Sequence, residues 1–247
     1  EDYESRYCLD DEFYSDYEIV EQLGKGGVGE VFLVRQKGLD RPVAIKFLSR
    51  KFAADKESMN RFEREAKVMG RLDHPNVVRV IQFRKRPEIP YLVLEFVQGE
   101  TLRNRLKRAG AIRHAEALDI MLGICAGLQA AHELGVIHRD VKSDNVLLSK
   151  DGKVKLVDFG LAKSTVNVGD QTAAGIIVGT PAYMSPEQCH GGELDCRTDI
   201  YSAGVILFQM LTGKVPFEDE STLKVLQHHV STPPPELQSV IPFIRPE

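Results

Sequence analysis

Apolar and polar positions alternate over residues 17–23, 30–35 and 42–48, the period of half-buried strands. At Phe62 the period changes. Phe62, Glu65, Ala66, Met69 and Leu72 recur at three- and four-residue spacing, one face of a helix that the turn Asp73-His74-Pro75-Asn76 should end. Two more strands are predicted over residues 77–83 and 90–97. Beyond Gly99 the helical period takes over: Ala117, Ile120, Met121, Ile124, Leu128 and Ala131 stripe a long helix. Residues 135–189 are loop-rich apart from the apolar run 154–157, and residues 199–211 are almost wholly apolar, as in a buried helix. A strand-rich half followed by a larger helical half predicts two lobes, with a cleft between them suited to a small ligand.

Composition narrows the function classes. The chain has 247 residues, 43% hydrophobic and 28% charged, an ordinary globular balance with length enough for a sizeable core. Its net charge of −4 argues against nucleic acid as a partner, because duplex binding leaves a basic excess. The acidity is uneven. Residues 1–16 hold Glu1, Asp2, Glu4, Asp10, Asp11, Glu12 and Asp16 against Arg6, a net of −6, so the whole-chain −4 leaves +2 on the rest. With Tyr3, Tyr7, Phe13 and Tyr14 among the acids, this reads as a flanking segment that docks onto the domain.

Cys8, Cys125, Cys189 and Cys196 form no CxxC pair, which suits a reduced, cytoplasmic setting. Cys189, His190 and Cys196 make only a weak zinc set beside the plainer reading as ordinary residues. No stretch reaches the roughly 18 apolar residues of a membrane span, so no membrane contact is expected from this segment. No signal peptide is expected either. The chain starts at Glu1 and stops at Glu247 in mid-pattern, as a fragment of something longer would.

The chemistry begins at Gly24-Lys25-Gly26-Gly27-Val28-Gly29-Glu30-Val31, which fits G-x-G-x-x-G-x-V. Dinucleotide-binding folds share the first six positions, but there the loop opens a helix, whereas Glu30 to Val34 is β-rich. The loop is therefore a hairpin tip, either a plain glycine turn or one whose backbone approaches a phosphate. In Val43-Ala44-Ile45-Lys46, period two puts Ala44 and Lys46 on one face. Glu65, on an otherwise apolar helix face, supplies the carboxylate that a half-buried Lys46 needs, and each satisfies the other. Next come His138-Arg139-Asp140-Val141-Lys142-Ser143-Asp144-Asn145, then Asp158-Phe159-Gly160, then Gly179-Thr180-Pro181 ahead of Ser185-Pro186-Glu187.

In this order and at these spacings the chain resembles a eukaryotic-type (Hanks-type) protein kinase catalytic domain over residues 17–247. Lys142 and Gly179-Thr180-Pro181-Ala182-Tyr183 are similar to serine/threonine rather than tyrosine kinases. Met184 to Gln188 and Arg197 to Ser202 look most like the bacterial receptor-type kinases. The resemblance implies an α+β, two-lobed kinase fold. Residues 17–97 would form a small antiparallel-sheet lobe with one helix, and residues 98–247 a larger, mainly helical lobe whose last helices are missing. It implies transfer of the γ-phosphoryl group of Mg-ATP, with Mn²⁺ an alternative metal, to serine or threonine hydroxyls of proteins, the chain's own loop included.

By the same resemblance Asp140 accepts the hydroxyl proton, Lys142 neutralises the transferring phosphoryl group, and Asn145 and Asp158 hold the metal. Leu23, Gly24, Lys25, Gly26, Gly27, Val28, Gly29 and Glu30 cover the nucleotide, and Val31, Ala44 and Leu147 sandwich its ring. Lys46, held by Glu65, takes the phosphates. Glu95 and Val97 bond the adenine beside Leu94, and Met69, His138 and Phe159 stack behind the metal site. Arg139 before Asp140 implies a loop switched by phosphate, with Thr172 and then Thr165 the acceptors and self-association the route. His138 reads better as a packed core residue than as a base, and Ser164 as an ordinary loop hydroxyl. Glu187 would pair with an arginine beyond Glu247. A cytoplasmic location is expected for the domain, with any membrane anchor of a parent protein outside this segment.

Overall fold

The computed structural model describes residues 7, 9–26, 29–86, 90–159 and 180–240. Of the residues singled out above, Cys8, Gly27, Val28, Gly160, Ser164, Thr165, Thr172, Gly179 and those of the first six positions lie outside them. Contacts divide the chain into two compact units. The first runs to His74 and includes Val78–Val97; the second is Pro75–Val77 with Gln98 onward.

In the first unit Asp10 caps a short helix, α1 (Asp11–Asp16), accepting from the Phe13 N–H at 2.8 Å. Strands β1 (Tyr17–Lys25), β2 (Gly29–Gln36) and β3 (Arg41–Leu48) follow as antiparallel hairpins. After α2 (Arg50–Ala54) and α3 (Lys56–Met69) come β4 (Val80–Arg84) and β5 (Tyr91–Glu95). The sheet order is β1-β2-β3-β5-β4, antiparallel throughout. Period two turns Phe32, Val34, Val43, Ile45, Phe47, Tyr91 and Val93 into one buried cluster, joined by Phe13 and Tyr17. Each such ring or branched chain stabilises the unit by about 1.5–3 kcal/mol on burial.

The expected helix stops earlier than its apolar spacing suggests. Gly70 ends α3 by giving its N–H to Ala66 at 2.9 Å, and Leu72 is buried from beyond the helix. The strand expected from residue 77 begins only at Val80. Val77 belongs to the second unit, where it bridges Leu156.

The second unit contains a three-stranded sheet, β6 (Gly99–Thr101), β7 (Val146–Ser149) and β8 (Val154–Leu156), in that order. Around it lie α4 (Leu102–Ala109), α5 (His114–His132), α6 (Pro186–His190), α7 (Cys196–Thr212), α8 (Thr222–Ser231) and α9 (Leu237–Val240). The predicted α5 stripe is buried at Ala117, Ile120, Ile124, Leu128 and Ala131, with Gly127 among them. A Cβ at Gly127 would lie 2.7 Å from the Asn76 carbonyl oxygen, so glycine there lets the segment at Asn76 lie directly on the helix. Asn76 then donates to Val154 and accepts from the Leu156 N–H, both at 2.8 Å. Among the described residues no helix is long and apolar enough to cross a membrane.

Candidate active site

The glycine hairpin joins β1 to β2. Leu23, Gly24, Lys25 and Gly26 are exposed, while Gly29 and Glu30 are buried and Val31 is half-buried. Gly29 is dictated by packing, since a Cβ there would lie 1.8 Å from the Phe47 carbonyl oxygen. Gly24 and Gly26 are not. A Cβ on Gly24 would meet nothing within 4 Å, and on Gly26 only the Gly29 oxygen at 3.9 Å. Bare backbone facing open space is what a phosphate group can approach closely, so these residues fit a nucleotide. Lys25 Nζ lies 3.1 Å from Glu30, and Gln22 Nε2 donates to Glu30 at 3.1 Å, bracing the hairpin at its base.

Lys46 is half-buried on β3, opposite Val31 on β2 and Leu92 on β5, and Ala44 is buried opposite Leu33 and Leu94. Glu65 is half-buried in α3 among buried Phe62, Ala66 and Met69. The α3 helix is fixed by Asp55, whose carboxylate accepts from the N–H groups of Glu57 and Ser58. Glu95 ends β5 with its N–H given to the Arg79 carbonyl at 3.0 Å, and Val97 follows outside the strand.

In the second unit, the anchor is a residue that sequence reasoning passed over. Asp199, in the first turn of α7, is fully buried. Its carboxylate accepts from the backbone N–H groups of His138 at 2.7 Å and Arg139 at 2.8 Å, with His132 Nε2 at 2.7 Å. The signal was available: a carboxylate inside an otherwise apolar helix is costly without partners, so it had to serve some group.

The loop so held carries the candidate residues Asp140, Lys142 and Asn145. Arg139 has φ +60° and Asp158 φ +57°, left-handed values that cost a residue with a Cβ about 1–2 kcal/mol. Such strain persists where bonds over-determine it. For Arg139 those bonds are the Asp199 contact and the Gln188 Nε2 donating to its carbonyl at 3.0 Å. Asp140 is half-buried. Lys142 Nζ lies 3.0 Å from its Oδ2, and Asn145 Nδ2 donates to the same oxygen at 3.2 Å and to the Asp140 carbonyl at 2.9 Å. Three predicted residues thus converge.

Asn145 precedes β7 and Asp158 follows β8, and between them the Val157 N–H donates to the Asn145 carbonyl at 3.0 Å. With its amide nitrogen committed to Asp140, Asn145 keeps its side-chain oxygen as the candidate metal donor. That oxygen and a carboxylate suit a hard divalent cation. Leu147 is half-buried on β7 opposite Thr101.

His138 is fully buried and packs against Phe159 with 4.4 Å between ring centroids and a tilt of 35° between the planes. Its Nε2 lies 3.0 Å from the Val157 carbonyl and its Nδ1 takes the Asp140 N–H at 3.3 Å, the pattern of a neutral ring. Burial holds its pKa below the usual imidazole value. It is packed in place, not poised as a base.

Residues 180–188 are tied to the same loop. Lys142 Nζ donates to Thr180 at 3.3 Å, and Ser143 Oγ lies 2.8 Å from the Tyr183 hydroxyl, which donates to Gln209 at 2.7 Å. Ser185 and Gln188 form a capping box at the start of α6. Glu187 was expected to need an arginine from beyond the chain. Here it accepts from the buried Thr198 hydroxyl at 2.7 Å, a second partner that sequence reasoning missed.

Residues 17–240 match the family described as the protein kinase domain. Serine/threonine-protein kinase PknL of Mycobacterium tuberculosis is 37% identical over 233 residues, covering 94% of this chain and 58% of that protein. The probable serine/threonine-protein kinase PknB of Corynebacterium glutamicum is 39% identical, covering 88% and 34%. The solved kinase domain of Mycobacterium tuberculosis PknI, in a mutant form, superposes with TM-score 0.72 at 28% identity over 92% of this chain and 82% of that one. The chain spans from about a third to three fifths of the length of its curated relatives.

Proposed function

Because the chain belongs to the protein kinase domain family, in the serine/threonine branch found in bacteria, we propose how its residues divide the reaction. The domain is of the transferase type that moves a phosphoryl group from ATP to serine and threonine hydroxyls, and its family uses ATP with a divalent metal. The observation that carries the reading is Asp140, its carboxylate gripped by Lys142 and Asn145 in a loop pinned by Asp199.

Asp140 orients the acceptor hydroxyl and takes its proton as the oxygen bonds to the γ-phosphorus and the bond to the β-phosphate oxygen breaks. Lys142, within reach of both Asp140 and Thr180, balances the charge on the group in transfer. Lys46, paired with Glu65, holds the α- and β-phosphates, while the hairpin from Leu23 to Val31 covers them. Ala44 and Leu147 pack on the adenine, which the backbone of Glu95 and Val97 bonds. Asn145 and Asp158 would hold Mg²⁺, with Mn²⁺ an alternative, and a cation there would neutralise phosphate charge.

The segment at Thr180–Gln188 receives the acceptor peptide. The Arg139 Nε is buried and has no hydrogen-bond partner among the described residues, as expected of a group kept for a phosphate on Thr172 or Thr165. Transfer to that loop from a second copy, protein substrates and a cytoplasmic site of action complete the proposal.

The test is intact mass spectrometry after incubation with Mg-ATP, beside an Asp158→Asn control. Phosphoryl mass on the unmutated chain alone, mapped to Thr172 or Thr165, supports transfer and the switch. No added mass, with ATP still raising the melting temperature, replaces the reading with nucleotide binding alone.

A further inference from the structure

Tyr7 and residues 9–16 of the acidic segment have no part in the proposed reaction, yet they are built into the first unit. Tyr7 is 6% exposed and Phe13 only 1%. The Tyr7 ring stacks on Phe47 at 4.6 Å between centroids and meets Phe32 edge-on at 5.9 Å. Phe13 lies 5.7 Å from Phe47, 5.8 Å from Tyr91 and 5.4 Å from Tyr17.

Around these anchors runs a latch of charge and backbone bonds. Arg86 donates to Asp10 at 2.6 Å, lies 3.3 Å from Glu12, and sets its guanidinium 6.0 Å from the Tyr91 ring centre. Lys37 gives its ammonium to the Tyr14 carbonyl at 2.6 Å and its N–H to the Asp16 carbonyl at 2.8 Å.

The rings close on Phe47, and Phe47 follows Lys46 on β3. Its side chain is gripped by Tyr7 and Phe13. Its backbone oxygen is the atom that a Cβ at Gly29 would strike at 1.8 Å, at the foot of the glycine hairpin. In the register Phe47 faces Glu30, the residue that braces the hairpin against Lys25. A shift of Phe47 therefore moves Lys46 and the hairpin together.

We propose that Tyr7 and residues 9–16 are a clamp for the nucleotide-binding strand, with Tyr7 and Phe13 acting through Phe47 as positioning residues for ATP and Arg86 as the latch. This rests on the assignment of Lys46 and the hairpin to the nucleotide. Misplacing phosphate-binding groups by a fraction of an ångström weakens what they hold before it changes the transfer step.

The test uses the full chain. Phe13→Ala should raise the KM for ATP about fivefold while kcat and the KM for an acceptor peptide stay within about twofold. Phe13→Leu should restore most of the loss, and hydrogen exchange should speed up over residues 43–48. A Phe13→Ala chain with a lower melting temperature but unchanged KM for ATP would overturn the proposal, leaving a segment that only packs.

Should that variant not fold, Asp10→Asn with Glu12→Gln removes the latch charges without opening a cavity. The parent's ATP affinity should then fall with added salt more steeply than the double variant's; equal slopes would overturn the latch. Lys46→Ala separates the two readings. If it leaves ATP affinity unchanged, the nucleotide assignment has failed, and the clamp with it. If it abolishes binding while Phe13→Ala does nothing, only the clamp has failed.

Discussion

The two units hold their candidate residues by different physics. In the first, Lys46 rides on a strand whose far face is an aromatic cluster of Phe13, Phe32, Phe47 and Tyr91. An ion pair such as Arg35–Asp40 lies out in solvent, away from that cluster. In the second, Asp140 sits on a loop held by buried polar bonds that meet at Asp199. Apolar packing is non-directional and yields gradually when a ring is trimmed. A buried carboxylate with committed donors is directional: if it is removed, every donor is orphaned at once. The first unit can thus adjust the setting of Lys46 gradually, while the second keeps the geometry around Asp140 or loses it.

Asp199→Ala should break that comparison hardest. It orphans the N–H groups of His138 and Arg139 and the ring of His132, each costing about 1–3 kcal/mol, so a loss on the order of 5 kcal/mol is expected. Denaturant unfolding should show it together with abolished transfer. Asp199→Ala that folds and turns over normally would mean the loop is held by something else.

Phe32→Ala, at the centre of the aromatic cluster, should cost about 3–5 kcal/mol and lower the melting temperature of the first unit. Because nothing directional is lost, kcat at saturating ATP should survive in the fraction that stays folded.

Acid should separate the units in order. Burial lowers the pKa values of His138 and His229 from 6.5, so their unfolded forms bind protons first. The stability they confer is complete above pH 6.5 and drains away as the pH falls below it. Glu63 is lowered from 4.5 to about 2 by hydrogen bonds from Lys85 and Lys67, so its contribution is lost only between those values. Hydrogen exchange followed from pH 7 to pH 3 should loosen the second unit before the first; the reverse order would contradict the contrast.

The smallest effect belongs to the exposed Arg108–Glu100 pair, where Arg108→Ala should leave the melting temperature without a resolvable change.

Much of this was legible in the residues. Alternation at Pro42 to Leu48 announces β3 and puts Lys46 and Ala44 on one face, because a strand's period is a local property of the backbone. The stripe on α5 is equally local. Helix ends and partners were less so. α3 halts at Gly70 although Leu72 keeps the apolar spacing, and the acidic segment's short helix gave no periodic signal.

What the sequence by itself determined is which chemistry is present: the glycine hairpin, Lys46, Asp140, Lys142, Asn145 and Asp158, at spacings that short-range geometry imposes. What only the tertiary structure decided is who holds them. Asp199 reaches back some sixty residues to His138 and Arg139, Thr198 answers Glu187, and Arg86 latches Asp10 across seventy-six positions. Such partners are chosen by where the folded elements bring them. No local period encodes that, because burial demands a partner for a charged group without specifying its place in the chain.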